Sequence, residues 1–129
     1  MNKILVEVSV GELLDKISIL EIKKNRIKDS NKLKFINEEY EVLTKELEKN
    51  IKIDQKIAKF FTALKNVNSK LWIIEDDKRK CEKDSDFGEN FIRLSRDVHF
   101  LNDTRAKIKL DINNHTGSKI KEIKEYTNY

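Results

Sequence analysis

The sequence predicts an all-α antiparallel hairpin bundle of about four helices, and three observations predict it. A heptad run through Ile57, Phe60, Leu64, Val67, Leu71, Ile74 and Cys81 marks one long amphipathic helix with a narrow, coiled-coil-like apolar seam. The 129-residue chain has no proline and only three glycines, the two residues that interrupt helices. Its charged fraction is 39% against roughly 25% in an average globular protein, yet 38% of its residues are hydrophobic and can build a core. A chain of this length is expected to form a single domain over residues 1–129, and a bundle this thin gains by pairing with a second copy.

Taken in order, Ile4, Val6, Val8 and Val10 alternate with Leu5, Glu7 and Ser9, a period-two pattern suited to a short strand. A strand needs a partner. Residues 119–126, with Ile120 and Ile123 between charges, offer one, so a minor two-stranded β-ribbon joining the two ends is expected. Ser9 lies three residues before Glu12, the capping-box spacing, and opens a first helix that runs to about Lys28. Leu13, Leu14, Ile17, Leu20 and Ile27 form its apolar face, which Ile19 and Ile22 widen, so this helix should touch more than one neighbour. Asp29, Ser30 and Asn31 interrupt the pattern and cap a second helix built on Leu33, Ile36, Tyr40, Leu43 and Leu47.

The third helix starts near Asp54 and runs to about Lys83, some 45 Å at about 1.5 Å per residue. Asp84, Ser85 and Asp86 end it, and Asp86 with Glu89 has capping-box spacing for a fourth helix. Phe91, Leu94, Val98, Leu101, Ile108 and Ile112 line that helix until Gly117, a suitable C-terminal cap. Short connections favour antiparallel neighbours.

The charge pattern narrows the function classes. The net charge is +4, but acidic and basic residues are interspersed along every segment and no basic stripe carries aromatic partners, which argues against nucleic-acid binding. Cys81, the single cysteine, falls on the seam, so it reads as a buried thiol in a reducing cytoplasm and rules out a disulfide framework. The first ten residues lack the long apolar run of a secretion signal, and no stretch approaches the roughly 20 apolar residues of a membrane span.

Candidate chemistry gathers on two helices. Arg105 interrupts the apolar seam between Leu101 and Ile108, where a guanidinium needs a carboxylate, and Glu75, Asp76 or Glu21 on a facing helix are the expected partners. Asn102, Asp103 and Lys109 lie nearby on the fourth helix, and Trp72, Glu75, Asp76 and Arg79 fall at three- and four-residue spacing on the third. Such residues form either an ion network that fixes helix register or a pocket for an anionic ligand. On the first helix, Asp15, Lys16, Glu21, Lys23 and Arg26 read as i,i+4 pairs on a charged face.

Magnesium chemistry like that of all-helical nucleotide pyrophosphatases would need converging carboxylates, and Glu12 with Asp15, Glu38 with Glu41, and the run Glu75, Asp76 and Asp77 are too ordinary in a chain so rich in carboxylates to identify it. His99 and His115 lack partners at zinc-ligand spacing. His115 instead suits the negative end of the fourth helix. A chorismate-mutase-like clamp could draw on Arg26, Arg79 and Arg105, but the surrounding residue order does not match. No cofactor or metal is implied.

Four segments resemble a family of small bacterial proteins of unknown function: residues 8–23 (VSVGELLDKISILEIK), 71–79 (LWIIEDDKR), 98–113 (VHFLNDTRAKIKLDIN) and 117–126 (GSKIKEIKEY). The resemblance spans nearly the whole chain in order but implies no activity, cofactor or site residue. Residues 28–69 are poorly distinguished by it and read as a variable antiparallel arm. The expected role is a non-catalytic interaction or assembly module that self-associates through exposed parts of the long-helix seams and can take a protein partner. The alternative is a small all-α enzyme or anionic-metabolite binder whose site gathers Glu21, Trp72, Glu75, Asp76, Arg79, Asn102, Asp103 and Arg105.

Overall fold

The structure, a computed structural model, describes residues 2–129. It contains four helices: α1 (Val10–Arg26), α2 (Ser30–Asn50), α3 (Gln55–Lys83) and α4 (Glu89–Thr116). Among the described residues there is no strand.

The caps set the helix boundaries. Ser9 accepts a hydrogen bond from the Glu12 amide at 3.0 Å, Asp29 accepts from the Asn31 and Lys32 amides, and Asp54 accepts from the Ile57 amide at 2.8 Å. Gly117 closes α4 in the left-handed conformation, at φ 68°. The first helix stops at Arg26, short of the expected Lys28, because Ile27 turns extended to reach the Asp29 cap. The capping box expected at Asp86 and Glu89 does not form. Ser85 adopts φ 52° at the end of α3, Asp86 accepts from the Gly88 amide at 3.2 Å, and Gly88 itself is the N-cap of α4 without a side-chain bond.

Helix α1 is the hub: it packs against α2, α3 and α4, and α3 packs along α4. Contacts that ascend one helix as they descend the other, Asp54 with His115 and Cys81 with Asn90, make α3 and α4 an antiparallel hairpin. Leu13, Leu14, Ile17, Leu47, Ile57, Leu64 and Ile112 form the central core. The long seam of α3 therefore faces inward, with Leu64, Val67, Leu71 and Cys81 all buried. Helix α2 packs on α1 alone, burying Ile36 and Leu47 and leaving Phe35 and Val42 exposed.

The terminal β-ribbon is absent. Residues 2–8 form neither helix nor strand and make no main-chain pairing, and 119–129 form neither helix nor strand. The C-terminal segment starts beside the expected partner, with Ile120 lining a concavity with Val6 and Val8, but Glu122 accepts from Lys109 at 2.8 Å and Tyr129 donates to Asp103, which lays the rest of the segment along α4. No helix of the described residues is long and apolar enough to cross a membrane.

Candidate functional site

A polar ladder runs through the interface of α1 with α3 and α4. At its start the Gly11 amide donates to Asn113 Oδ1 at 2.7 Å, one of the first-turn donors that a helix cannot satisfy by itself. Gly11 is required by proximity, since a Cβ there would stand 2.5 Å from the Lys109 carbonyl oxygen. One turn on, the Lys109 ammonium lies between Glu12 at 2.6 Å and Glu122 at 2.8 Å. Burial would lower the Lys109 pKa, but these two carboxylates outweigh it and hold the amine charged above its ordinary range.

At the centre stands Asp15, 1% exposed. Arg105 grips both of its oxygens: Nε donates to Oδ1 at 2.9 Å and Nη2 donates to Oδ2. Asn68 Nδ2 adds a bond to Oδ1 at 2.8 Å and another to Ser18 Oγ at 2.8 Å, while Ser18 donates to the Asp15 carbonyl at 2.7 Å. Burial alone would raise the Asp15 pKa. The Arg105 and Asn68 hydrogen bonds, with the charges of Arg105 and Lys109, together outweigh it and hold the carboxyl below its ordinary value.

The partners expected for Arg105 were Glu75, Asp76 or Glu21, and its actual partner is Asp15. The antiparallel register of α1 and α4, which pairs Gly11 with Asn113 and Glu12 with Lys109, brings Asp15 directly opposite Arg105. Asp15 is accordingly not the surface i,i+4 partner that its neighbours suggested. Asp76 instead meets Lys80 at 3.3 Å on the surface.

Beyond the ladder, a concavity of about 410 Å³ opens between α1, α3 and α4, lined by Ile19, Ile22, Asn68, Leu71, Trp72, Glu75, Asp76, Arg79 and Arg105. Its floor is apolar, with Trp72 in the wall and the charges of Asp76 and Arg79 at the exposed rim. Five of the eight residues singled out in the sequence therefore converge: Trp72, Glu75, Asp76, Arg79 and Arg105. The other three do not join them. Glu21 turns toward α2, accepting from Tyr40 at 3.1 Å and Lys65 at 2.9 Å, and lines a separate apolar groove of about 290 Å³. Asn102 and Asp103 line a third concavity, about 580 Å³, with His99, Tyr126 and Tyr129 of the C-terminal segment.

Sequence reasoning missed Asp15, Ser18, Asn68 and Asn113 as members of the buried network. Gly11, Asp15 and Ser18 recur at four- and three-residue spacing, and this stripe of small and polar residues was the available signal. Among the described residues no group of three His, Cys, Asp or Glu side chains is placed to hold a metal ion. His115 meets Asp54 at 2.8 Å, joining the end of α4 to the start of α3. His99 packs against the rings of Phe100 and Tyr129.

In comparison with known proteins, the model of a family described as of unknown function, DUF6165, matches residues 4–129. No curated protein and no solved structure matches the chain.

Proposed function

From a chain that belongs to DUF6165, a family of unknown function, we infer a non-catalytic helical assembly module that works as a homodimer and can take a protein partner on its concave face. The observation that carries this reading is the closure of the ladder. Asp15, Arg105, Asn68 and Ser18 are engaged with one another, and Lys109 is held between two carboxylates, so the strongest charges of the site are already neutralised. What remains toward the concavity is an apolar floor with an aromatic wall, the composition of a protein-binding surface.

Surface area supports self-association. The chain exposes 9665 Å², whereas a compact monomer of 15.3 kDa is expected to expose about 7,100 Å². The surplus of about 2,500 Å² is comparable with what one subunit of an obligate dimer buries, and part of it lies in the extended segments at either end. The buried lone thiol of Cys81 suits a reducing cytoplasm.

Sedimentation equilibrium over a range of concentrations tests the assignment. A dimer mass that persists on dilution is expected, and a monomer at every concentration overturns it. One observation favours a second reading, an anionic-metabolite site. Among the described residues Arg79 makes no ion pair and Nη1 of Arg105 has no protein acceptor, and both arginines line the concavity. Stabilisation of the wild type by inorganic phosphate or a dicarboxylate, lost in Arg79→Gln, would move the assignment to that class.

A further inference from the structure

We propose that residues 3–7 pair with the same segment of a second copy as an antiparallel two-stranded ribbon, with the two-fold axis of the dimer passing at Leu5. The proposal rests on the homodimer reading above and names the contact that sets its symmetry. Ile4, Leu5 and Val6 are 86%, 82% and 74% exposed, and residues 2–8 make no main-chain hydrogen bond to the rest of the chain. A segment with period-two apolar alternation and open main-chain donors and acceptors is a template for strand addition. The C-terminal segment does not close it, because its Glu122 and Tyr129 are tied to α4.

The sequence of the segment identifies the occupant. Lys-Ile-Leu-Val-Glu is self-complementary when run against itself: Lys3 faces Glu7 of the partner subunit, Ile4 faces Val6 of the partner subunit, and each pairing occurs twice about the axis. Parallel pairing would set lysine on lysine and glutamate on glutamate. An antiparallel slip of one residue sets Lys3 against Val8 of the partner subunit, or against Val6 of the partner subunit, and in neither case does lysine meet glutamate. Only the register centred on Leu5 matches charge to charge.

In that register Ile4, Val6 and Val8 of both strands share one face. Val6 and Val8 already line a concavity with Leu13, Ile51 and Ile120, so this face continues onto the apolar body of the molecule. Two short strands are marginal by themselves. The ribbon therefore supplies register, and the apolar face with the surplus surface supplies affinity.

Sedimentation equilibrium of the full chain, with helicity checked by circular dichroism, reads the result. Lys3→Glu and Glu7→Lys should each weaken dimerisation about tenfold or more, because each converts two cross-strand attractions into repulsions. The double variant Lys3→Glu/Glu7→Lys should restore wild-type affinity. Leu5→Cys should give a covalent dimer on mild oxidation, while Val42→Cys on the outer face of α2 should not. A dimer indifferent to both single reversals, or one not restored by the double variant, overturns the ribbon and leaves the homodimer standing. A wild-type monomer at every concentration overturns both.

Discussion

Asp15 is a carboxylate almost wholly removed from water, and its ionised form persists because Arg105 and Asn68 replace the solvent it lost. Arg105→Met should therefore cost about 3 kcal/mol at neutral pH by leaving that charge unpaired, measured by urea or thermal unfolding. The pH dependence follows from the direction of the shift. In the wild type the folded Asp15 pKa lies below the ordinary 3.8, so its stabilising contribution is fully present above that value and is lost as pH falls through the lower folded value. In Arg105→Met the largest downward influence is gone and burial raises the Asp15 pKa, so the variant gains stability on acidification. The difference between the two proteins should shrink from neutral pH toward pH 4; a gap that widens on acidification would contradict this account. Arg105 was legible in the sequence because it breaks an apolar seam. Asp15 was not, since a helix packed on three sides has no single charged face to which a spacing rule applies.

The approach of α1 to α4 depends on one missing methyl group. Gly11→Ala would place its Cβ 2.5 Å from the Lys109 carbonyl oxygen and 3.0 Å from Asn113 Oδ1, so the helices must separate and the Gly11 amide must lose its acceptor. A loss of about 2 kcal/mol is expected in chemical denaturation. Gly88→Ala is the comparison: its Cβ meets nothing closer than the Asp86 carboxylate at 3.4 Å, so only the preference of an N-cap for glycine over alanine is lost, about 0.5 kcal/mol. All four helices were legible from apolar spacing and cap chemistry, with α3 beginning beside its Asp54 cap as expected. The ribbon and the second capping box were misread for a shared reason. Period-two alternation and an Asp-x-x-Glu spacing describe what a segment is able to do, whereas the pairing of Lys109 with Glu122 and the positive φ of Ser85 decide what it does in this chain. The same limit applies to the candidate site. Glu21 shares a helix with Asp15, yet the rotation of α1 against α2 takes it to Tyr40 and away from the concavity.

At the scale of the whole molecule, little apolar area is held inside four thin helices, and the surface is correspondingly large. The proposed pairing with a second copy would link stability to concentration, so the melting temperature should rise as protein concentration is raised; a value independent of concentration would count against a dimer that forms only in the folded state. Composition made the all-α class legible but left the partner surface open, because the charges alternate in sign along every helix and no single face stands out. The ladder also governs the order of events during synthesis. Asp15 and Arg105 are 90 residues apart in sequence, and Gly11 and Asn113 are 102. Helix α1 therefore emerges from the ribosome long before the helix that completes its surroundings. Until then α2 and α3 can cover two sides of it and Asn68 can reach Asp15 and Ser18, but the Asp15 carboxylate stays without its cation. Closing so long a loop carries an entropic cost that bundles of purely local contacts avoid, and it falls on the buried charge that Arg105 neutralises.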